Sequence, residues 1–405
     1  MWCMVIILLL WAPLVALGLE LDEAHHLLAR TSFGGTPAEI AALRPLTYEA
    51  AVDRLLNSVR QQPRTAPPTW VDKPPPTPLE RWTMGEAERQ AFRAQVRAHG
   101  FALKGWWYQE MLSTDTPLTE RLTLFWHNHF TSSLQKVKWP PLLYRQNLLL
   151  RQHAMGNFRA LLPAVAKDPA MILYLDSQTN RQSAPNENFA RELLELFTLG
   201  EGHYSEQDIK EAARAFTGWE VERRTGRFRF NARAHDDGQK TFLGRRGPLN
   251  GEAILDILLD QPRLAVHITE KLWRAFISGT PDATEVQRLA VLFRQHDYAI
   301  QPLLKALFMS SHFRAASNRG TMIKSPVELI VGTLRLLHVP VKDPEPLVRA
   351  GRQLGQDLFD PAECQGLARG ECLDYLQYLA STSAVLTSRA AWPGHAQQHE
   401  WADGA

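Results

Sequence analysis

The stretch that decides the fold runs from Ala184 to Trp219, "APNENFARELLELFTLGEGHYSEQDIKEAARAFTGW". Phe189, Leu193, Leu196 and Phe197 recur at intervals of three and four, the spacing of one helix face. Pro185 stands just before the run, and Gly200 just after it, where glycine accepts the left-handed conformation of a helix C-terminus. The spacing predicts a helix over 187–199. Ser205 and Asp208 then form a start resembling a capping box, in which each side chain satisfies a backbone N–H left free at a helix beginning. A second helix follows from there.

Outward from this centre the same period predicts helices over 86–112, 117–130, 140–154 and 157–166. Downstream it predicts helices near 251–259, 262–276, 284–295, 300–309 and 325–337. Helical spacing also begins at Leu21 and stops at Gly34-Gly35. Thr36 as N-cap, Pro37 at the first helical position and Glu39 three after the cap restart it, with the second helix expected to run to about Ser58. Residues 61–78 hold seven prolines and read as an extended surface strap with Trp70 in it. The only β signal is "RFRFNARAHDDGQKTFLG". Phe228 and Phe230 alternate with arginines, and Asp237-Gly238 supplies a turn. No repeat of fixed period is visible. The fold class expected is mostly α, a multi-helix globular array with one small β-hairpin near residues 227–243.

Composition sets further bounds. The chain has 405 residues, 45 basic against 43 acidic, and no long block of one charge. That balance gives no sign of a nucleic-acid-binding surface. Met4 to Leu17 is almost wholly apolar, and Ala16-Leu17-Gly18 fits the small-x-small rule of signal peptidase. The apolar core is about 13 residues against the ~20 needed to cross a bilayer, so residues 1–18 read as a signal peptide rather than a retained anchor. The segment carries no Lys or Arg before its apolar run, unlike most signals. The expected location is periplasmic or secreted, with no membrane association after cleavage. Residues 19–390 read as one helical domain and 391–405 as a disordered tail. After cleavage Cys364 and Cys372 remain, an even pair that in an exported protein reads as one disulfide, or else as two unpaired buried thiols.

Several stretches taken together resemble a bacterial family known only as domain of unknown function number eighteen hundred. They are "HLLARTSFGGTPAEI", "LTLFWHNHFTSS", "KDPAMILYLDSQTN", the central stretch quoted above, "HDDGQKTFLG", "LAVHITEKLWRAFI" and "NRGTMIKSPVELIVGTLRLL". They span about residues 22–340. The resemblance implies an exported, mostly helical protein, often encoded beside a sulfatase-like exported partner, and brings no established reaction. Members commonly close with a tryptophan–glycine element after "LFxPPNVKG". Here Leu358-Phe359-Asp360-Pro361 is followed by "AECQGLARGECLDY", so the Cys364–Cys372 loop stands in that element's place. Trp392-Pro393-Gly394 comes too late to fill it.

Three polar motifs could carry chemistry. In "FWHNHF", His127 and His129 are of the type that ligates transition metals. On a helix, positions i and i+2 point ~200° apart, so the two could share one ion only on locally extended chain. In the central stretch, Asn188, Glu192 and Glu195 make a polar stripe beside the i,i+4 pair Glu187–Arg191. In "HDDGQK", His235 and Asp236 lie beside Asp237 and Lys240, a set whose titrations would be coupled. Lys324 and Glu328 in "KSPVE" read as an i,i+4 surface ion pair or as something more, and Arg30 beside Phe33-Gly34 is equally open.

Two functions follow. One is an enzyme with His127, His129, His235 and Asp236 as ligands of a divalent or transition metal and Glu187, Glu192 and Lys240 as catalytic groups, hydrolytic or oxidative. The other is a non-catalytic envelope binding or assembly factor whose polar motifs are hydrogen-bond networks that hold the fold. Spatial convergence discriminates between them: if the catalytic site exists, helix 187–199 packs on helix 117–130 and the 235–240 turn covers the junction.

Overall fold

Helix starts in this chain are fixed by side chains visible in the sequence. Thr36 N–H donates to Glu39 Oε2 at 2.8 Å while Glu39 N–H returns to Thr36 Oγ1, and Pro37 occupies the first helical position. Ser205 with Asp208 and Ser325 with Glu328 build the same reciprocal cap. The computed structural model describes residues 18–73, 78–222 and 224–360. The apolar leader up to residue 17, the Cys364–Cys372 pair and the tail 391–405 lie outside the described residues.

The described chain is mostly helical, as its periodicity predicts. The principal helices are Leu21–Thr31, Glu86–Ser113, Pro117–His129, Pro140–His153, Phe158–Ala166, Glu206–Ala215, Gly251–Asp260, Pro262–Phe276, Ala283–Gln295, Ile300–Met309 and Pro326–Leu336. The second helix differs from its expectation. It stops at Leu43 and restarts as Tyr48–Asn57 under a Thr47 cap. Pro45 has no N–H to offer the preceding turn, so the helix cannot run through it.

The central helix also differs. Asn188–Glu192 is α-helical, but Leu193–Thr198 is a π-helix. Leu199 N–H reaches back five residues to Leu194 O at 2.9 Å, and Thr198 Oγ1 donates to Leu193 O at 2.6 Å. One extra residue per turn shifts the phase of the apolar face. Leu194 and Phe197 are buried, whereas Leu196, which the 3.6 period assigned to the core, is only half-buried.

The small β content sits where expected but divides in two. Trp219–Glu222 pairs antiparallel with Arg227–Phe230, and Lys240–Phe242 with Arg245–Gly247. Asp237-Gly238 turns neither hairpin. It lies in the link between them, where Gly238 N–H donates to Asp236 Oδ1 at 2.8 Å. The second hairpin turns at Leu243-Gly244, both at positive φ.

Apolar faces assemble around two clusters. The larger joins Leu27, Trp126, Phe158, Phe197, Leu258 and Leu304. The second gathers Phe33, Trp106, Trp107, Leu143, Val331 and Phe359. Helix Pro117–His129 feeds both, with Leu118, Leu122 and Trp126 in the first and Leu124 in the second. Between them lies a fully buried ion pair. Arg151 donates to both Glu120 oxygens, at 3.1 and 2.6 Å, and Trp107 Nε1 adds a third bond at 2.8 Å. The proline-rich stretch is tied at Arg64 and Thr65, whose N–H groups donate to the Glu110 carboxylate. Trp70 stacks flat on His99 at 4.5 Å. No described helix is long and apolar enough to cross a membrane.

Candidate functional site

His127 and His129 sit on one helix and enter different surroundings, as their spacing demands. His127 Nε2 accepts the backbone N–H of Phe359 at 3.3 Å, and its ring packs edge-on against Trp107 and Phe359. Acceptance at Nε2 places the ring proton on Nδ1, a buried atom without a partner. Burial pushes its pKa down to about 4. His129 Nε2–H donates to Phe197 O at 3.2 Å. Burial, then the Lys271 charge and then His267, hold it well below the ordinary range. Both imidazoles are therefore neutral at pH 7.

The His129 bond has a clear structural origin. The last carbonyls of a helix lack intrahelical partners, and the π segment ends with its own exposed to neighbours. His267 Nε2–H donates to Leu196 O at 3.0 Å, His129 to Phe197 O, and Arg263 Nε to Leu199 O at 2.9 Å. The helices 117–129 and 188–198 thus do meet, at their C-terminal ends, through a histidine and a carbonyl oxygen.

Of the two glutamates singled out as catalytic, Glu187 stands at the N-terminal end of that helix and Glu192 midway along it. Glu187 pairs with Arg191 at 3.1 Å as its i,i+4 spacing predicts, and Arg191 also binds Glu206 at 2.9 Å. Glu192 is half-buried one turn farther on. In the third motif, His235 Nδ1–H donates to Thr217 O at 2.9 Å. Asp236 takes two bonds from Arg214, at 2.8 and 3.2 Å, and these hold its carboxyl below the usual range. Lys240 is buried and donates to Asp236 O and Gly238 O at 2.5 and 3.0 Å. Burial lowers its pKa. The motif is thereby fastened to helix Glu206–Ala215 and to the residues just after it. Among the described residues no three His, Cys, Asp or Glu side chains come together in a way that could hold a metal ion.

A different set of residues does converge. A cleft of about 640 Å³, within the size of small-molecule sites, is lined by Arg30, Arg121, Arg319, Lys324, Asp22 and Glu328. Helix Leu21–Thr31 supplies Asp22 and Arg30, helix Pro117–His129 supplies Arg121, and the run into helix Pro326–Leu336 supplies the rest. The walls are held close by Gly332, where an added Cβ would stand 2.1 Å from Phe33 O. Only glycine lets that helix lie on the Ser32–Gly34 turn. Lys324 Nζ reaches to 3.5 Å from where a Cβ on Gly34 would be.

Charge in the cleft is unbalanced. Glu328 binds Arg121 and caps Ser325; the Lys324–Glu328 surface pair expected from spacing gives way to this longer-range one. Arg30 is buried and donates to Asn318 O at 2.5 Å, an uncharged partner. Among the described residues no carboxylate pairs with Arg30, Arg319 or Lys324. The Nε atoms of Arg121 and Arg319 are buried without any hydrogen-bond partner. Burial lowers the Arg30 and Arg121 pKa values to about 10, and Arg121 also feels the charge of Arg30. His26, buried and donating to Phe313 O at 2.7 Å, is held low by burial and then by Arg30 and Arg319. Both arginines stay charged at pH 7, so the cleft is a standing positive field.

A larger groove, of about 860 Å³, is lined by Trp82, Phe92, Trp139, Arg89 and Lys136. None of its lining residues has a buried polar atom without a partner, so the basic cleft is the better candidate. Sequence reasoning stopped at Arg30 and Lys324 as ambiguous, and passed over Arg121 and Arg319. Each lies in a stretch quoted for the family resemblance or at its edge, which is the one signal that pointed there.

The sequence matches the family described as protein of unknown function (DUF1800) over residues 26–387. The match reaches past residue 340, through the divergent segment after Pro361. No curated protein and no solved structure matches the chain. By this near-complete match, the chain belongs to the DUF1800 family of proteins of unknown function.

Proposed function

We propose that this is an exported binding protein whose ligand presents an anionic group to the cleft formed by Arg30, Arg121, Arg319 and Lys324. The observation that carries the reading is the set of cations facing one cavity with a single carboxylate partner among them. Burying a charge is costly unless it is paired. A folded protein that keeps Arg30 buried with only a neutral partner, and gathers Arg319 and Lys324 beside it with no carboxylate of the described residues on either, has a site arranged in advance for an acceptor. Guanidinium groups suit oxyanions because their forked N–H groups match paired oxygens.

The histidine and acidic motifs fit the binding-factor reading better than the enzyme reading. His127 and His129 each commit Nε2 to a backbone group, Asp236 is held by Arg214, and Lys240 by the carbonyls of its own turn. Each is a bond that fixes chain to chain. Export rests on the apolar leader and its small-x-small end.

The test is isothermal titration of the purified chain with inorganic phosphate, sulfate and acetate at low ionic strength. At least one should bind with micromolar to millimolar affinity, and Arg319→Met should weaken that binding tenfold or more while leaving the circular dichroism unchanged. Absence of heat with all three, or unaltered affinity in the variant, would remove the reading.

A further inference from the structure

We infer that the group seated in the basic cleft is a doubly charged tetrahedral oxyanion of the phosphate-monoester type, a refinement that rests on the anion-binding reading above. The lining holds four permanent cations, Arg30, Arg121, Arg319 and Lys324, against two carboxylates, Asp22 and Glu328. The excess is two positive charges. Glu328 is committed to Arg121, and Asp22 is an exposed residue at the rim of the cleft, so the deep part of the cleft is the more positive.

A singly charged group would leave one of those charges uncompensated where water is partly excluded. Carboxylates, sulfate esters and phosphodiesters are all of that kind. A phosphate monoester carries about −1.5 to −2 charge at pH 7 and offers three strong acceptor oxygens. Its charge matches the excess, and its three oxygens can meet donors arriving from three directions. Donors do arrive from three chain segments: Arg30 from the first helix, Arg121 from helix Pro117–His129, and Arg319 with Lys324 from the run before helix Pro326–Leu336.

His26 does not alter the count. His26 gives its Nε2–H to Phe313 O and is kept neutral by burial and by Arg30 and Arg319. His25 is exposed at the rim. The volume of about 640 Å³ exceeds what a bare phosphate needs, which leaves room for the organic part of an ester beside Phe33, Met322 and Ile323.

Three probes of nearly the same shape separate charge from size: phenyl phosphate, phenyl sulfate and methyl phenyl phosphate, titrated calorimetrically into the full chain at pH 8. At that pH only the first is a dianion. Phenyl phosphate should bind at least tenfold more tightly than either monoanion. Lys324→Met, a change at an exposed side chain, should reduce that preference at least threefold. Equal affinities, or a preference for phenyl sulfate, would overturn the dianion inference while leaving anion binding intact. Failure of all three, with failure of inorganic phosphate, would instead overturn the anion reading itself.

Discussion

His127 and Phe359 lie 232 residues apart and are joined by one buried hydrogen bond, from the Phe359 N–H to His127 Nε2 at 3.3 Å. Around it, Leu134 N–H donates to Phe359 O at 2.7 Å, and Lys104 holds Asp357 and Asp360 at 2.6 and 2.9 Å. The Leu358-Phe359-Asp360 motif is thus stitched to the His127 helix, to helix Glu86–Ser113 and to the chain at Leu134. The bond gives His127 a structural task, with consequences that can be measured.

Because burial takes the His127 pKa from 6.5 to about 4, its contribution to stability is present above pH 6.5 and lost as pH falls towards 4. The gap corresponds to about 3 kcal/mol at most. His127→Gln, which can still accept the Phe359 N–H but cannot titrate, should flatten this acid limb in urea denaturation at pH 7 and pH 5. A variant as acid-sensitive as the parent would show that His127 is not the titrating group.

Asp168 gives the opposite sign. Burial raises its carboxyl from 3.8 to about 7, against bonds from Met171 N–H and Gln146 that favour the charge. A raised folded pKa contributes stability that is full below pH 3.8 and is lost as pH rises through 7. Asp168→Asn keeps the N-cap acceptor and removes the proton equilibrium. The variant should gain on the parent by about 2.5 kcal/mol between pH 5 and pH 8. An unchanged difference across that range would count against a protonated Asp168.

The Glu120–Arg151 pair is fully enclosed. Removing one member, as in Glu120→Gln, leaves a buried guanidinium short of its partner and should cost about 3–5 kcal/mol. Replacing both with apolar residues of similar volume should cost less than either single change, which thermal denaturation of the three variants would reveal.

Arg319 should show the reverse of a stabilising residue. Its Nε is buried without a partner, so Arg319→Met should leave anion-free stability unchanged or raise it by about 1 kcal/mol. The same variant should lose the stabilisation that phosphate gives the parent. A large loss of stability without anion would mean that Arg319 has a structural role instead.

Gly332→Ala would put a Cβ 2.1 Å from Phe33 O, forcing helix Pro326–Leu336 away from the first-helix turn. The expected cost is about 1–3 kcal/mol, together with weaker anion binding as the cleft walls separate. Retained affinity in this variant would show that the cleft tolerates their displacement.

Local sequence determined most of the helices and several of their starts. Their causes are short-ranged: an apolar residue every three or four positions, a Ser or Thr three before an acid, a proline that cannot donate. The same locality explains the errors. The π-helix at Leu193–Thr198 arises from carbonyls that His129, His267 and Arg263 satisfy from other helices, a cause that the segment itself does not contain. The Asp237-Gly238 pair looked like a hairpin turn, yet the strands found other partners and the turn became the anchor of Asp236 on Arg214.

The sequence alone thus settled that the chain is helical, where several of its helices begin, that Glu187 would meet Arg191, and that His127 and His129 could not face one ion from a helix. Only the tertiary structure decided what the polar residues do. His129 became the donor to an exposed carbonyl, and Glu328 turned from Lys324 to Arg121. Arg30, Arg121 and Arg319, each unremarkable on its own helix or loop, came to share one cleft. Propensity and capping act over a few neighbouring residues, whereas an excess of positive charge in a cavity is a property of segments about 90 to 290 positions apart that meet only when the apolar faces are buried.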